Sequence, residues 1–143
     1  AALQKGVPTI LVPGNMDFLV TGPLDTAIKR FPDRPYHSHN AAITTIRTSR
    51  EELSALAGTL AALCNGARGP LDILVPMGGF SAFDCVGGPL HDPEGPWIFC
   101  EALEKRLRDR SILHPIQSHI NDPEFSDAVI RVLTERIGCP ISS

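Results

Sequence analysis

The sequence predicts an α/β domain built on a parallel sheet, and three observations lead there. Short apolar or β-branched runs recur at residues 7–12, 42–47, 71–75 and 111–117. Segments with helical periodicity separate most of them. Each strand-like run also ends in a cluster of glycine, amide, hydroxyl and charged residues. Strand–helix alternation of this kind implies right-handed crossovers and helices on the sheet faces. The expected fold is therefore a Rossmann-like parallel sheet of about four strands with helices on both faces.

The elements follow in order. Residues 1–5 read as a last helical turn stopped by Gly6. A helix with an end and no beginning predicts that residues 1–143, taken as a single α/β domain, are a C-terminal piece of something larger. Residues 7–12 form the first strand, with Pro8 near its start, where a strand tolerates it. Residues 13–40, rich in Pro, Gly, Asp, Arg and His, read as a long loop, functional or disordered, with room for a short helix at 23–30. Residues 42–47 are the second strand.

Ser49 and Glu52 then make a capping box, opening a helix with Leu53, Leu56, Ala57, Leu60 and Leu63 on one stripe. Residues 71–75 are the third strand. A helix over 96–108 turns Phe99, Cys100, Leu103 and Leu107 inward, and residues 111–117 are a less regular fourth strand. Asp122 and Pro123 open the last helix, an acidic N-cap followed by Pro at the first position. That helix buries Phe125, Ala128, Val129, Val132 and Leu133, and Gly138 ends it.

Composition bounds the function. A chain of 143 residues with 43% hydrophobic content and a net charge of −3 is an ordinary globular domain. Charges without blocks give no reason to expect nucleic acid, and no apolar run approaches the ~20 residues of a membrane helix. No basic-then-apolar leader is recognisable. Cys64, Cys85, Cys100 and Cys139 never form C-x-x-C, which points to reduced thiols in a cytoplasmic protein.

Ligands of open parallel sheets bind beyond the carboxyl ends of the strands. Those ends carry Asn15 and Asp17, then Arg47, Thr48 and Ser49, then Gly78, Gly79, Ser81 and Asp84, then His119, Asn121 and Asp122. Residues 76–84, directly behind an apolar strand, offer backbone N–H groups, a hydroxyl and a carboxylate, a mixture suited to an anion. Arg47 stands before a helix start, where its fork and free N–H groups can share that anion, or where it simply pairs with a carboxylate. Gly78 and Gly79 match neither a P-loop nor a dinucleotide fingerprint and can equally be a turn.

The histidines leave further choices. His119 and Asp122 can act as an acid–base pair, or Asp122 can merely cap. Ser81 lacks the G-x-S-x-G elbow of a nucleophile. His37 and His39, with His91, Asp92 or His119, do not define a ligand set, so no metal centre is expected.

At Pro13–Asp17 and His39–Thr48, and again at Gly79–Asp84 and His119–Phe125, the sequence resembles the Tm-one-like ATP-binding family, which includes a plant antiviral resistance protein. The likeness runs from Gly6 to the last helix, with four motifs in order. It implies a protein of two Rossmann-like parts, of which this chain is the later portion of the second. It also implies nucleotide binding and self-association, so a dimer is expected.

On this reading the ligand is a nucleotide or another small phosphorylated or carboxylate molecule, with ATP and Mg²⁺ as the expected cofactors. Arg47 and the Gly78–Gly79–Ser81 loop hold the anion. Asp84 and Asp122 take Mg²⁺ or ribose hydroxyls, and His119 orients them. Two rival readings stand beside it. One is a small-molecule hydrolase or lyase using His119 and Asp122, with Ser81. The other is a non-catalytic dimerisation or partner-binding module.

Overall fold

Strand β5 (Leu71–Pro76) is the centre of the molecule: all six of its residues are buried, as in a parallel strand covered on both faces. The computed structural model describes residues 2–138. On one side β5 pairs in parallel with β1 (Thr9–Leu11), Thr9 opposite Leu71 and Leu11 opposite Ile73. On the other it pairs in parallel with β6 (Leu113–Ile116), Ile73 opposite Leu113.

Successive side chains of β5 leave opposite faces. Ile73 and Val75 enter a core with α3 (Arg50–Asn65) and α4 (Gly95–Glu104), through Leu53, Ala57, Phe99 and Leu103. Leu74 enters a second core with Phe125 and Ala128 of α5 (Pro123–Ile137). Helices thus cover both faces of the sheet.

The parallel sheet has three strands, not four. The run over 42–47 is β4 (Ile43–Arg47), the middle strand of a separate antiparallel sheet between β2 (Phe18–Thr21) and β3 (Tyr36–Asn40). The expected long loop therefore holds two strands and helix α2 (Leu24–Arg30). The cause is local pairing. Asn40 Oδ1 accepts the N–H groups of Ala42 and Ile43, each at 2.9 Å, turning β3 straight back on β4. Strand β3, with the sequence Tyr-His-Ser-His-Asn, takes its order from that ladder and not from apolar content.

Helix ends follow the sequence closely. Gly6 has φ +74° and Gly138 φ +64°, both left-handed stops. The capping box is complete: Glu52 N–H reaches Ser49 Oγ at 3.2 Å, and Ser49 N–H reaches Glu52 Oε2 at 2.7 Å. The buried stripe of α3 is shifted by one row, however. Leu53, Ala57, Ala61 and Cys64 face α4 and the sheet, while Leu56 and Leu63 are 40% and 58% exposed. Small residues point inward because α4 packs along this face. Likewise Leu133 of α5 is exposed. The strand expected from residue 111 starts only after a 3-10 turn, Arg110–Ile112.

Cys64, Cys85 and Cys100 are free thiols, and burial pushes the Cys100 thiol up to about 11. Cys139 lies outside the described residues. At the amino end of β5, buried Asp72 accepts from Arg136 and bonds His114 Nε2, each at 2.8 Å through Oδ1. Arg136, then His114, hold its carboxyl below the usual carboxylate value despite burial. This constellation, which sequence reading did not single out, fastens α5 to the sheet.

Candidate functional site

All four polar clusters expected at the strand ends converge, including the one on β4. Asn15, at φ +55°, donates its N–H to Phe80 O at 2.9 Å. Thr48 N–H reaches Asp17 O at 2.9 Å, which extends the β2–β4 ladder by one residue. Gly78 N–H reaches Ser118 O at 2.9 Å, and Ile120 N–H reaches Gly79 O at 3.2 Å.

The first three N–H groups of the glycine turn after β5 are not bare donors. Gly78 N–H is held as described, Gly79 N–H turns back to Pro76 O at 3.4 Å, and Phe80 N–H reaches Asp84 Oδ2 at 3.1 Å. The glycines answer to packing. A Cβ on Gly78 would lie 2.6 Å from His119 N, and one on Gly79, where φ is +133°, would collide with Asp84 O.

Ser81 and Asp17 form a buried pair, with Ser81 Oγ donating to Asp17 Oδ2 at 2.6 Å. Asp17 is wholly buried and its Oδ1 has no hydrogen-bond partner among the described residues. Burial pushes its carboxyl up, against the hydrogen bond from Ser81 that lowers it. A raised folded-state pKa means that ionising Asp17 costs stability. The cost is absent below the ordinary value of 3.8 and is complete once pH has passed the folded pKa. Asp17→Asn, which can still accept from Ser81, is therefore expected to raise the urea midpoint at pH 7. The gain should shrink as pH falls toward 3.8; an unchanged gain in acid would contradict the assignment.

His119 and Asp122 are neighbours without forming an imidazole–carboxylate pair. Asp122 Oδ2 accepts the backbone N–H of His119 at 2.8 Å, so it folds back from the helix it precedes and makes no side-chain cap. The ring of His119 is engaged at both nitrogens: Asn121 N–H donates to Nδ1 at 3.1 Å, and Nε2 lies 2.9 Å from Ser81 O. Nδ1 accepts, so Nε2 carries the proton and donates to the carbonyl. His37, half of the imidazole pair noted on β3, packs on Phe83 with ring centroids 4.6 Å apart. Among the described residues no cluster of three or more His, Cys, Asp or Glu side chains is arranged to hold a metal.

Arg47 is the most unusual group present. Its side chain is 7% exposed and pairs with Asp84, itself 1% exposed, with Nη1 3.1 Å from Oδ1. Nη1 also donates to Leu90 O at 2.8 Å. Asp84 in turn holds the loop, accepting from Phe80 N–H and, at 3.1 Å, from Asp92 N–H. Gly95, first in α4, leaves the space that Arg47 Nη2 fills; a side chain there would strike the guanidinium. Yet Arg47 Nε and Nη2 have no hydrogen-bond partner among the described residues.

Arg47 is also in the wall of a cleft of about 310 Å³ at the start of α3, with Arg34, Thr48, Ser49, Arg50 and His91, and with Pro35 and Asp92 completing it; its Nε and Nη2 are themselves covered. Arg34 binds Glu52 at 2.6 Å and donates to the carbonyl of Arg47. Arg50 binds Glu94 at 2.6 Å. Sequence reading missed Arg34 and Arg50. Arg50 was legible as the residue that begins the capped helix, whereas Arg34 needed the β3–β4 hairpin to bring it round.

An α/β domain with a three-strand parallel sheet, a small antiparallel sheet beside it and polar strand ends gathered at their seam is thus the class of protein defined here. The chain belongs to the uncharacterised protein family UPF0261, whose C-terminal domain it matches over residues 1–137. It is 33% identical over 129 residues to a UPF0261 protein of Brucella melitensis, covering 90% of this chain and 31% of that protein. It is 34% identical over 139 residues to one of Mesorhizobium japonicum, covering 93% of this chain and 34% of that protein. The ToMV resistance protein Tm-1(GCR237) of Solanum lycopersicum is 31% identical over 132 residues, 91% of this chain and 18% of the tomato protein. The chain therefore spans about a third of the length of its bacterial relatives. No helix among the described residues is long and apolar enough to cross a membrane.

Proposed function

We propose that this domain binds a phosphorylated ligand, a nucleotide such as ATP or a smaller phosphometabolite, through the cleft at the start of α3. The observation that carries this reading is the buried Arg47 guanidinium in the wall of the cleft, with Nε and Nη2 lacking a hydrogen-bond partner among the described residues. Leaving charged donors unsatisfied in a buried place is costly, and an anion relieves it. A guanidinium fork suits two phosphate oxygens. Arg50 and the positive end of the 16-residue helix α3 add attraction from the same side. The resemblance to the Tm-one-like ATP-binding family supports a nucleotide among such ligands.

The reading differs from the sequence expectation in how the anion and Mg²⁺ are held. Gly78, Gly79 and Ser81 build the floor under Asp17 and Asp84 and do not reach for the ligand themselves. Mg²⁺, in this account, arrives with the phosphates, since both oxygens of Asp84 already accept hydrogen bonds. An acid–base role for His119 has less support, because both ring nitrogens are engaged.

The test is calorimetric titration with ATP and Mg²⁺, with AMP and inorganic phosphate alongside. Arg47→Ala is the wrong comparison, because it strands Asp84 without a counter-ion. Arg47→Lys keeps a cation beside Asp84 and removes the free fork. It is expected to weaken binding about tenfold or more, the scale of a lost bidentate charged contact, with a similar unfolding midpoint. Absence of saturable binding by the wild-type chain, or equal affinity in Arg47→Lys, would remove the cleft as the site.

A further inference from the structure

We infer that the carboxylate of Asp92 stands in the ligand's seat, an internal competitor that an incoming anion has to displace. The inference rests on the anion-binding reading given above and adds how that site is regulated.

The geometry is that of an incomplete contact. Asp92 Oδ2 lies 3.6 Å from Arg47 Nη2, and Oδ1 lies 3.8 Å from Arg50 Nη2. One carboxylate is thus straddled by two guanidinium groups, beyond hydrogen-bond distance of either. Its charge is attracted while the donors stay unsatisfied, which is why Arg47 Nη2 remains an orphan.

Asp92 cannot close the gap because it is tethered elsewhere. Its Oδ1 accepts the N–H of Glu94 at 3.1 Å, and its own N–H is held by Asp84 Oδ1 at 3.1 Å. A free phosphate has no such tether and can approach both arginines from the open side. The Asp92 side chain is 21% exposed, so it has water into which to turn.

The other acids are placed differently. Asp84 is buried and bound to Arg47 Nη1 and two backbone N–H groups. Glu94 meets Arg50 from outside, at 2.6 Å, with 63% of its side chain exposed. Glu52 belongs to the helix cap and to Arg34. Of the four, Asp92 alone lies against Arg47 Nη2 and Arg50 together.

Removing its charge should therefore tighten anion binding, an unusual direction for a residue lining a binding cleft. The experiment is calorimetric titration of inorganic phosphate into this chain, wild type against Asp92→Asn, Asp92→Ser and Glu94→Gln. Both Asp92 variants retain an oxygen for the Glu94 N–H and so preserve the start of α4. Each is expected to bind phosphate about fivefold tighter than wild type, the scale of one partly exposed charge contact. Glu94→Gln should change affinity by less than about twofold, because solvent already screens that charge. Unchanged or weaker binding in the Asp92 variants, with wild type binding normally, would overturn the inference and leave the anion site standing. Equal tightening by Glu94→Gln would also overturn it, by making the effect one of net charge. Absence of phosphate binding in wild type and all variants would remove the anion site and the inference together.

Discussion

Asp84→Ala is expected to cost about 3–5 kcal/mol of folding stability, the range for breaking a buried ion pair from one side. Three losses coincide in that substitution. Arg47, 7% exposed, keeps its charge and loses the counter-ion at 3.1 Å. The N–H groups of Phe80 and Asp92 lose the acceptor that organises the loop between β5 and α4. Leu90 O remains as a hydrogen-bond partner and Asp92 as a carboxylate 3.6 Å from Nη2, and neither replaces a buried carboxylate bonded to Nη1.

Urea denaturation of wild type and variant measures the effect. A loss below about 1 kcal/mol, typical of exposed pairs, would mean that water reaches the pair freely. Replacing both partners by apolar residues separates the pair's own worth from the cost of stranding one charge. Arg47→Met with Asp84→Leu is expected to recover much of the stability lost in Asp84→Ala, because no uncompensated charge remains. Anion binding should be lost in that double variant, which lacks the guanidinium.

Gly79→Ala is expected to cost at least about 3 kcal/mol, in the range reserved for overpacking joined to backbone strain. Its φ of +133° lies where side chains are rarely tolerated, and the new methyl would collide with Asp84 O and crowd the His119 ring at 2.9 Å. The backbone of this loop is also fastened to the β6 end through Ser118 O and Ile120 N–H. No slack remains to absorb the shift. The urea midpoint of the variant, or its recovery in inclusion bodies, is the readout. A variant as stable as wild type would show that the loop relaxes, and would restore the view of Gly79 as a flexible ligand-binding turn. The two substitutions act on one hydrogen-bonded unit, so their effects should not add.

Much of this was legible from residue order. The glycine stops, the capping box and the three parallel strands follow from local chemistry that acts within a few residues. The polar clusters behind β1, β5 and β6 were also legible, because parallel strands send all their carboxyl ends to one edge; the one behind β4 joins them from the antiparallel sheet. What escaped was pairing at a distance. β3 is too polar to read as a strand, and only its neighbour β4 makes it one. The inward row of α3 likewise depended on where α4 lay.

The candidate site divides along the same line. Which residues gather at the sheet edge was written in the strand ends: Asn15, Asp17, Arg47, Ser81, Asp84 and His119 do come together. Which of them have unused bonding capacity was not. Ser81 turns to Asp17, both nitrogens of His119 are engaged, and the N–H groups of Gly78, Gly79 and Phe80 close on their own chain. Arg47, in the wall of a cleft, is left with two donors that have no hydrogen-bond partner among the described residues. Propensity and periodicity report what a residue prefers nearby. Whether a hydrogen bond is already taken depends on angles and distances between segments far apart in the chain, and those are set only when the cores on both faces of β5 have packed.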